Sequence, residues 1–484
     1  MLGIGGFGTI TPQDVFALKE AMAKQRLRKA LSAGYNDPAA SVAQPLVPQS
    51  MEKTLASATY RSSDAVLWKK IPKVGVSATV NEFSRIEEHG SRDVEGWFSE
   101  GGSPLLGQST YTRDFTRVKY IGVKGATTFA MMHSRIVGAN ATAEAEEVDR
   151  KTLQLIGLIE DALYFGDSSI NPLAFDGLRA TLEKEAPANI VDLRGQVLTG
   201  RQMREDMALQ RDLFATPNLV VMSHGTRAIL GNLEDPAIRR NDPSGKGARV
   251  GTTAEGLNAD HGLVGFDSTF FLKAKTAILG SAGVQSAAIG PDPDFAAPTA
   301  IAFDADAGDN GANVALAGAE VSNWVEDDVG VYIYRIVAVS DHGHAASIQS
   351  ASVTVESGKK NTMQIDDGSN DPTKGGNSIR YYKVFRSEKD GGDGTCRFIK
   401  NVAAATGAGL TTITDFNDDI PQTSWAFSLQ MTPDVVEVVR LLDMMKQDLA
   451  IRSTTKEFLL ILFAAFRSRT PTKLWAWKNC GQSL

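Results

Sequence analysis

Val148, Thr152, Leu155, Ile159 and Leu163 recur at helical spacing along the run from Ala141 to Phe165, and Gly166 ends it. The spacing predicts a helix of about 24 residues, roughly 36 Å at 1.5 Å per residue. Asn140 or Thr142 can cap its start, where Glu144, Glu146 and Glu147 complement the positive end of the helix dipole. A rigid beam with one apolar stripe is expected to bury Leu155, Ile159 and Leu163 inside its own subunit.

Before the beam, Thr11-Pro12 reads as a helix start, with the helix running to about Leu31 through the basic residues Lys24, Arg26, Arg28 and Lys29. From residue 35 to about 75 the chain reads as an extended arm with too little apolar content to pack on its own subunit. Val76 to Arg85 and Tyr111 to Val123 have strand character. The second run places Arg113, Arg117 and Lys119 on one face and Asp114 and Thr116 on the other, so neither face is expected to lie on a core. The two runs are joined by a glycine-rich loop carrying Trp97-Phe98.

After the beam, Phe175-Asp176-Gly177-Leu178 reads as a tight turn. A helix from Gly200 to Phe214 capped by Thr199, a strand at Leu219 to Met222 and a helix from His224 to Leu233 then indicate an α/β unit. From Val329 the pattern becomes β, with runs at Val329–Val339, Ser347–Val355, Thr362–Ile365, Ile379–Ser387, Arg397–Val402 and Thr411–Thr414. Short strands without a helix among them predict a β-sandwich. Between Ala297 and Ser424 there are 18 Asp and Glu against 10 Lys and Arg, while the whole chain carries −7, so one segment holds the acidity. Helical spacing returns at Pro433 to Met445 through Val435, Val438, Leu442 and Met445. Phe458–Phe466 reads as a buried element followed by a strand.

Chemistry is poorly represented. Gly3, Gly5 and Gly8 match GxGxxG without a preceding strand, and Gly245-Lys246-Gly247 lacks the upstream glycine and following hydroxyl of a phosphate loop. His342 and His344 form HxH with no third ligand in sequence. Asp304, Asp306, Asp309 and Asn310 approach a calcium loop, but Gly308 stands where a ligand is required. Neither GxSxG nor HExxH occurs, Cys396 and Cys480 are isolated, and no apolar run spans a membrane. The expectation is no enzyme, no cofactor and no metal. The N-terminus shows no secretory pattern, so a cytoplasmic product is expected.

The order of parts resembles the major capsid proteins of tailed bacteriophages, the Hong Kong 97-type fold. The likeness rests on the arm, the polar hairpin, the beam, the Phe175–Leu178 turn, the α/β unit and a closing segment with Ala464, Pro471, Lys473 and Asn479. It implies an α+β protein with an N-terminal arm at 1–75, an extended loop at 76–125 and a peripheral domain with a spine helix at 126–198. An axial domain at 199–284, an inserted immunoglobulin-like β-sandwich at 285–424 and a C-terminal return at 425–484 follow. The implied function is self-assembly into hexamers and pentamers of an icosahedral head shell around double-stranded DNA, in a virion assembled in the host bacterial cytoplasm. The implied partners are copies of itself, portal, scaffold and cement or decoration proteins, and packaged DNA held non-specifically, with no membrane.

On this reading Trp97, Phe98, Arg113, Arg117 and Lys119 are candidate intersubunit contacts. Lys24, Arg26, Arg28 and Lys29 are candidate interior contacts to DNA. The alternative is a phage tail or baseplate protein, or a surface adhesion protein with an immunoglobulin-like binding module. The sandwich favours that alternative; the beam and hairpin oppose it.

Overall fold

The computed structural model describes residues 19–20, 61–90, 97–104, 107–133, 142–238, 255–272, 302–303, 310–340, 343–366, 379–405, 410–449 and 454–481. The chain divides into two units, residues 1–58 with 130–146 and residues 59–129 with 147–484. In the first, Thr142 Oγ1 accepts from Ala145 N at 3.3 Å and so caps the long helix. The basic cluster Lys24, Arg26, Arg28 and Lys29, most of the 11–31 helix, the 35–60 part of the arm, Gly245–Gly247, Asp304, Asp306, Asp309 and His342 lie outside the described residues.

The fold of the second unit is mixed α+β. Its first core lies between residues 147–165 of the long helix Ala143–Phe165 and a four-stranded sheet ordered Lys73–Gly75, Val436–Asp448, Thr455–Ser468 and Lys119–Thr128. Leu155, Ile159 and Leu163 are fully buried there against Phe458, Leu460 and Leu462, the inward positions of the 14-residue strand Thr455–Ser468. Gly125 on the edge strand allows close approach: a Cβ there would sit 2.3 Å from the Phe458 ring.

The helical expectation for Pro433–Met445 is wrong, because Val436–Asp448 is a strand. Val435, Val436, Val438 and Val439 crowd β-branched side chains that suit a sheet, and Val438 and Val439 pair with strands on both sides. Register shifts between Arg440 and Leu442 and between Leu442 and Met445 break the two-residue alternation, so bulges imitated helical spacing in the sequence.

The arm expectation also fails for residues 61–75. Ala65, Leu67 and Ile71 are buried, and Leu67 and Ile71 join the first core. The short helix Val66–Lys70 is held by Glu160 of the long helix, whose carboxylate accepts from Leu67 N at 2.9 Å and Trp68 N at 2.7 Å and from the Tyr164 hydroxyl at 3.0 Å. Those N–H groups start a helix and have no internal acceptor, so one buried carboxylate does the work of a cap. Burial pushes the Glu160 carboxyl up from its ordinary value, with these hydrogen bonds opposing the shift.

The end of the long helix is fixed by backbone approach. Gly177 N donates to Gly166 O at 2.9 Å. A Cβ on Gly166 would lie 2.4 Å from Phe175 O, and one on Gly177 would lie 2.4 Å from Ala162 O. Only glycine fits at either position, which is why the turn follows the helix so closely.

A six-stranded sheet forms the second core, ordered Ile190–Asp192, Trp475–Cys480, Ser424–Leu429, Leu219–Met222, Gly262–Ser268 and Gly256–Ala259. Helix Gly200–Asp212, whose Thr199 cap accepts from Gln202 N at 3.2 Å, contributes Met203 and Met207; helix His224–Ile238 contributes Leu230. The Trp477 indole N–H donates to Asp206 at 2.6 Å in the interior.

Between these parts of the sequence lie the acidic-segment strands. Tyr334–Ser340 pairs with Ile379–Arg386, which pairs with Arg397–Ala403, and Lys360–Asp366 pairs with Thr411–Asp415, all antiparallel. Their buried side chains, among them Trp324, Tyr334, Ile336, Met363, Tyr382, Val384 and Ile413, make a core of their own. Ser424 belongs instead to the six-stranded sheet. His344 sits in the short strand Gly343–His344, where burial and then the Lys383 charge push its pKa down to about 4.

Candidate intersubunit surface

The hairpin pairs Val80–Glu88 with Thr110–Arg117, antiparallel, with Val80 opposite Arg117, Glu82 opposite Phe115, Ser84 opposite Arg113 and Ile86 opposite Tyr111. Side chains alternate across a strand, so these eight share one face and Asn81, Phe83, Arg85, Thr112, Asp114 and Thr116 share the other. The second face looks inward. Arg467 hydrogen-bonds Asn81 and lies 5.1 Å over the Phe83 ring, and Arg85 reaches Glu185 at 3.3 Å. Arg467 is itself held at 2.7 Å by Glu437, which is fully buried and also accepts from Arg469.

The first face is turned to solvent. Val80, Ile86, Tyr111 and Phe115 are exposed large apolar groups. Arg113 pairs with Glu82 at 2.8 Å across the strands, and the Arg117 guanidinium lies 5.5 Å over the Phe115 ring. The face is thus a ladder of aromatic, aliphatic and arginine side chains, the composition that recurs at the energetic centres of interfaces. The loop adds Trp97 at 85% and Phe98 at 59% exposure.

Of the five candidate contacts, Trp97, Phe98, Arg113 and Arg117 are open to solvent, and Arg113 and Arg117 share the outward ladder. Lys119 departs from the expectation. It lies beyond the buried Val118, which ends the hairpin, and its ammonium donates to Pro172 O at 2.5 Å. Its strand, Lys119–Thr128, then runs into the four-stranded sheet and buries Val123, so the run 111–123 is not wholly projecting. Tyr111 and Phe115 were missed by reading the strand as polar on both faces. Their odd numbering, shared with Arg113 and Arg117, already put them on one face.

No family model matches the sequence. It is 24% identical over 439 residues to a putative major capsid protein of Enterococcus phage phiEF24C, covering 88% of each chain. It is 23% identical over 445 residues to the major capsid protein of Staphylococcus phage K, again covering 88% of each. The chain is similar to phage major capsid proteins. Among solved structures, the capsid of a native GTA particle aligns with a TM-score of 0.44 at 10% identity, over 92% of this chain and 99% of that one. A structure from Mycobacterium phage Adephagia aligns at 0.42 and 8% identity, over 90% and 92%.

Proposed function

We propose that the chain is the major capsid protein of a tailed phage, a head-shell subunit that self-assembles into hexamers and pentamers enclosing packaged double-stranded DNA. The observation that carries this reading is the sequence likeness to major capsid proteins along 88% of both chains. The exposed ladder supports it, because a subunit that tiles a shell must leave apolar and arginine-rich surface for its neighbours. In this reading the fold is of Hong Kong 97 type, the hairpin is the extended loop and Ala143–Phe165 is the spine helix. The work is structural rather than catalytic: each subunit makes many weak contacts at once, and their simultaneous closure gives the shell its strength.

The β-rich segment, 285–424, is read as an inserted immunoglobulin-like module. Its excess of acidic side chains would be repelled by DNA, so it projects from the outer face. Lys24, Arg26, Arg28 and Lys29 face the interior and meet DNA phosphates without sequence preference. Portal, scaffold and cement proteins complete the assembly in the host cytoplasm, and the virion is the final location.

Deleting residues 95–108 tests the contact role of the loop. The expected result is a soluble subunit with an unchanged unfolding profile that no longer sediments as a particle. Full-sized, heat-stable particles from the deletion variant would sink the assignment of Trp97 and Phe98 as anchors.

A further inference from the structure

Helix Gly200–Asp212 stops in a turn closed by two hydrogen bonds, Phe214 N to Arg211 O at 2.9 Å and Ala215 N to Gln210 O at 3.2 Å. That pair of bonds places the residue after the C-cap in the left-handed conformation, where glycine is usual because a Cβ is strained. Here the residue is Phe214, at φ 62°, the one aromatic residue with positive φ among the described residues. Burial of the ring against its own subunit could compensate for the strain, but Phe214 is 72% exposed. Leu209 and Leu213, one helical turn apart and leading into this turn, are exposed as well. A bulky side chain that is both strained and wet contributes nothing visible to the isolated fold.

We propose that Leu209, Leu213 and Phe214 form a contact patch for a second copy of this chain. The inference rests on the head-shell reading and adds a contact at a second place, on the helix rather than the hairpin. The charges around the patch favour a copy as its occupant. Arg201, Arg204 and Arg211 are exposed along the same helix; Glu205 pairs with Arg201 at 2.8 Å, and Asp212 is the other exposed acid near the helix end. That leaves Arg204 and Arg211 against Asp212, a small basic excess, and the chain's own acidic segment exposes Glu326, Asp327, Glu388 and Asp390 as surface of the opposite sign. Apolar centre and charged rim together make the usual anatomy of a protein contact.

The test is Phe214→Gly, with Leu209→Gln as a second variant, each compared with wild type as unassembled subunit and in assembly. Glycine relieves the turn, so the thermal midpoint of the unassembled Phe214→Gly subunit should be unchanged or higher by about 2 °C. The protein concentration needed for half-assembly should rise about tenfold in both variants, as for loss of an interface anchor. Wild-type assembly behaviour in both variants would overturn the patch while leaving the shell reading intact. A lowered midpoint for Phe214→Gly would place the ring in its own fold and likewise overturn it. Failure of the wild type itself to assemble would overturn the shell reading and the patch with it.

Discussion

Arg386 and Asp415 meet at 2.7 Å with both side chains almost wholly buried, inside the core of the acidic segment. The guanidinium lies 4.6 Å over Trp324 and donates to Asn417 at 2.7 Å, and the carboxylate also accepts from Tyr334 at 2.9 Å. Burial alone would raise the Asp415 carboxyl, but the Arg386 charge, then Lys400 and the Asn417 N–H, outweigh it and hold the group below its ordinary range. A carboxyl depressed on folding contributes stability that is present above its unfolded value and is lost as pH falls through the lower folded one. Asp415→Asn strands a buried guanidinium, so stability at pH 7 should fall by about 3–5 kcal/mol. Denaturant unfolding at a series of pH values checks this: the gap from wild type should shrink below about pH 4, where the wild-type carboxylate begins to protonate in the unfolded chain. A gap that does not change with pH would mean that the ion pair is not its source.

The long helix carries the clearest prediction for an element. Leu155 and Ile159 are buried at its centre, and truncating such a side chain to alanine typically costs about 2–5 kcal/mol. Glu146 and Glu147 sit near the helix start, where the dipole and the partly exposed Glu147–Lys151 pair at 3.8 Å are each worth below about 1 kcal/mol. Leu155→Ala with Ile159→Ala should therefore aggregate or melt well below wild type as unassembled protein, and Glu146→Ala with Glu147→Ala should not. Equal behaviour would show that the stripe is not core. This helix was legible because its stripe is periodic and its ends are marked by Thr142 and Gly166. Val436–Asp448 was not, because two bulges shifted its alternation into helical phase. The packing of residues 61–75 was hidden for a different reason: Glu160, 93 residues away from Leu67, supplies the acceptor for that turn, and no local pattern announces it. On the hairpin, residue type alone marked Trp97, Phe98, Arg113 and Arg117, which are exposed, whereas Tyr111 and Phe115 follow only when the two-residue alternation of the strand is counted through the whole run.

At the scale of the molecule, the described residues combine the first and second cores, the acidic segment's own buried clusters and a hairpin whose outer face remains wet. If the acidic segment projects from a shell, Lys359 and Lys389 should label with an amine reagent as fast in assembled particles as in free subunits. Protection of both on assembly would contradict the outward placement. The strongest demand is on assembly itself. A chain that leaves Trp97, Phe98, Tyr111 and Phe115 in solvent is explained as a shell subunit only if copies close around one another. Negative-stain microscopy of the overexpressed, purified protein measures this directly. Closed shells, or tubes of regular width, are the predicted outcome. A population of stable single subunits of 51.8 kDa that forms no particles at any concentration would contradict the account.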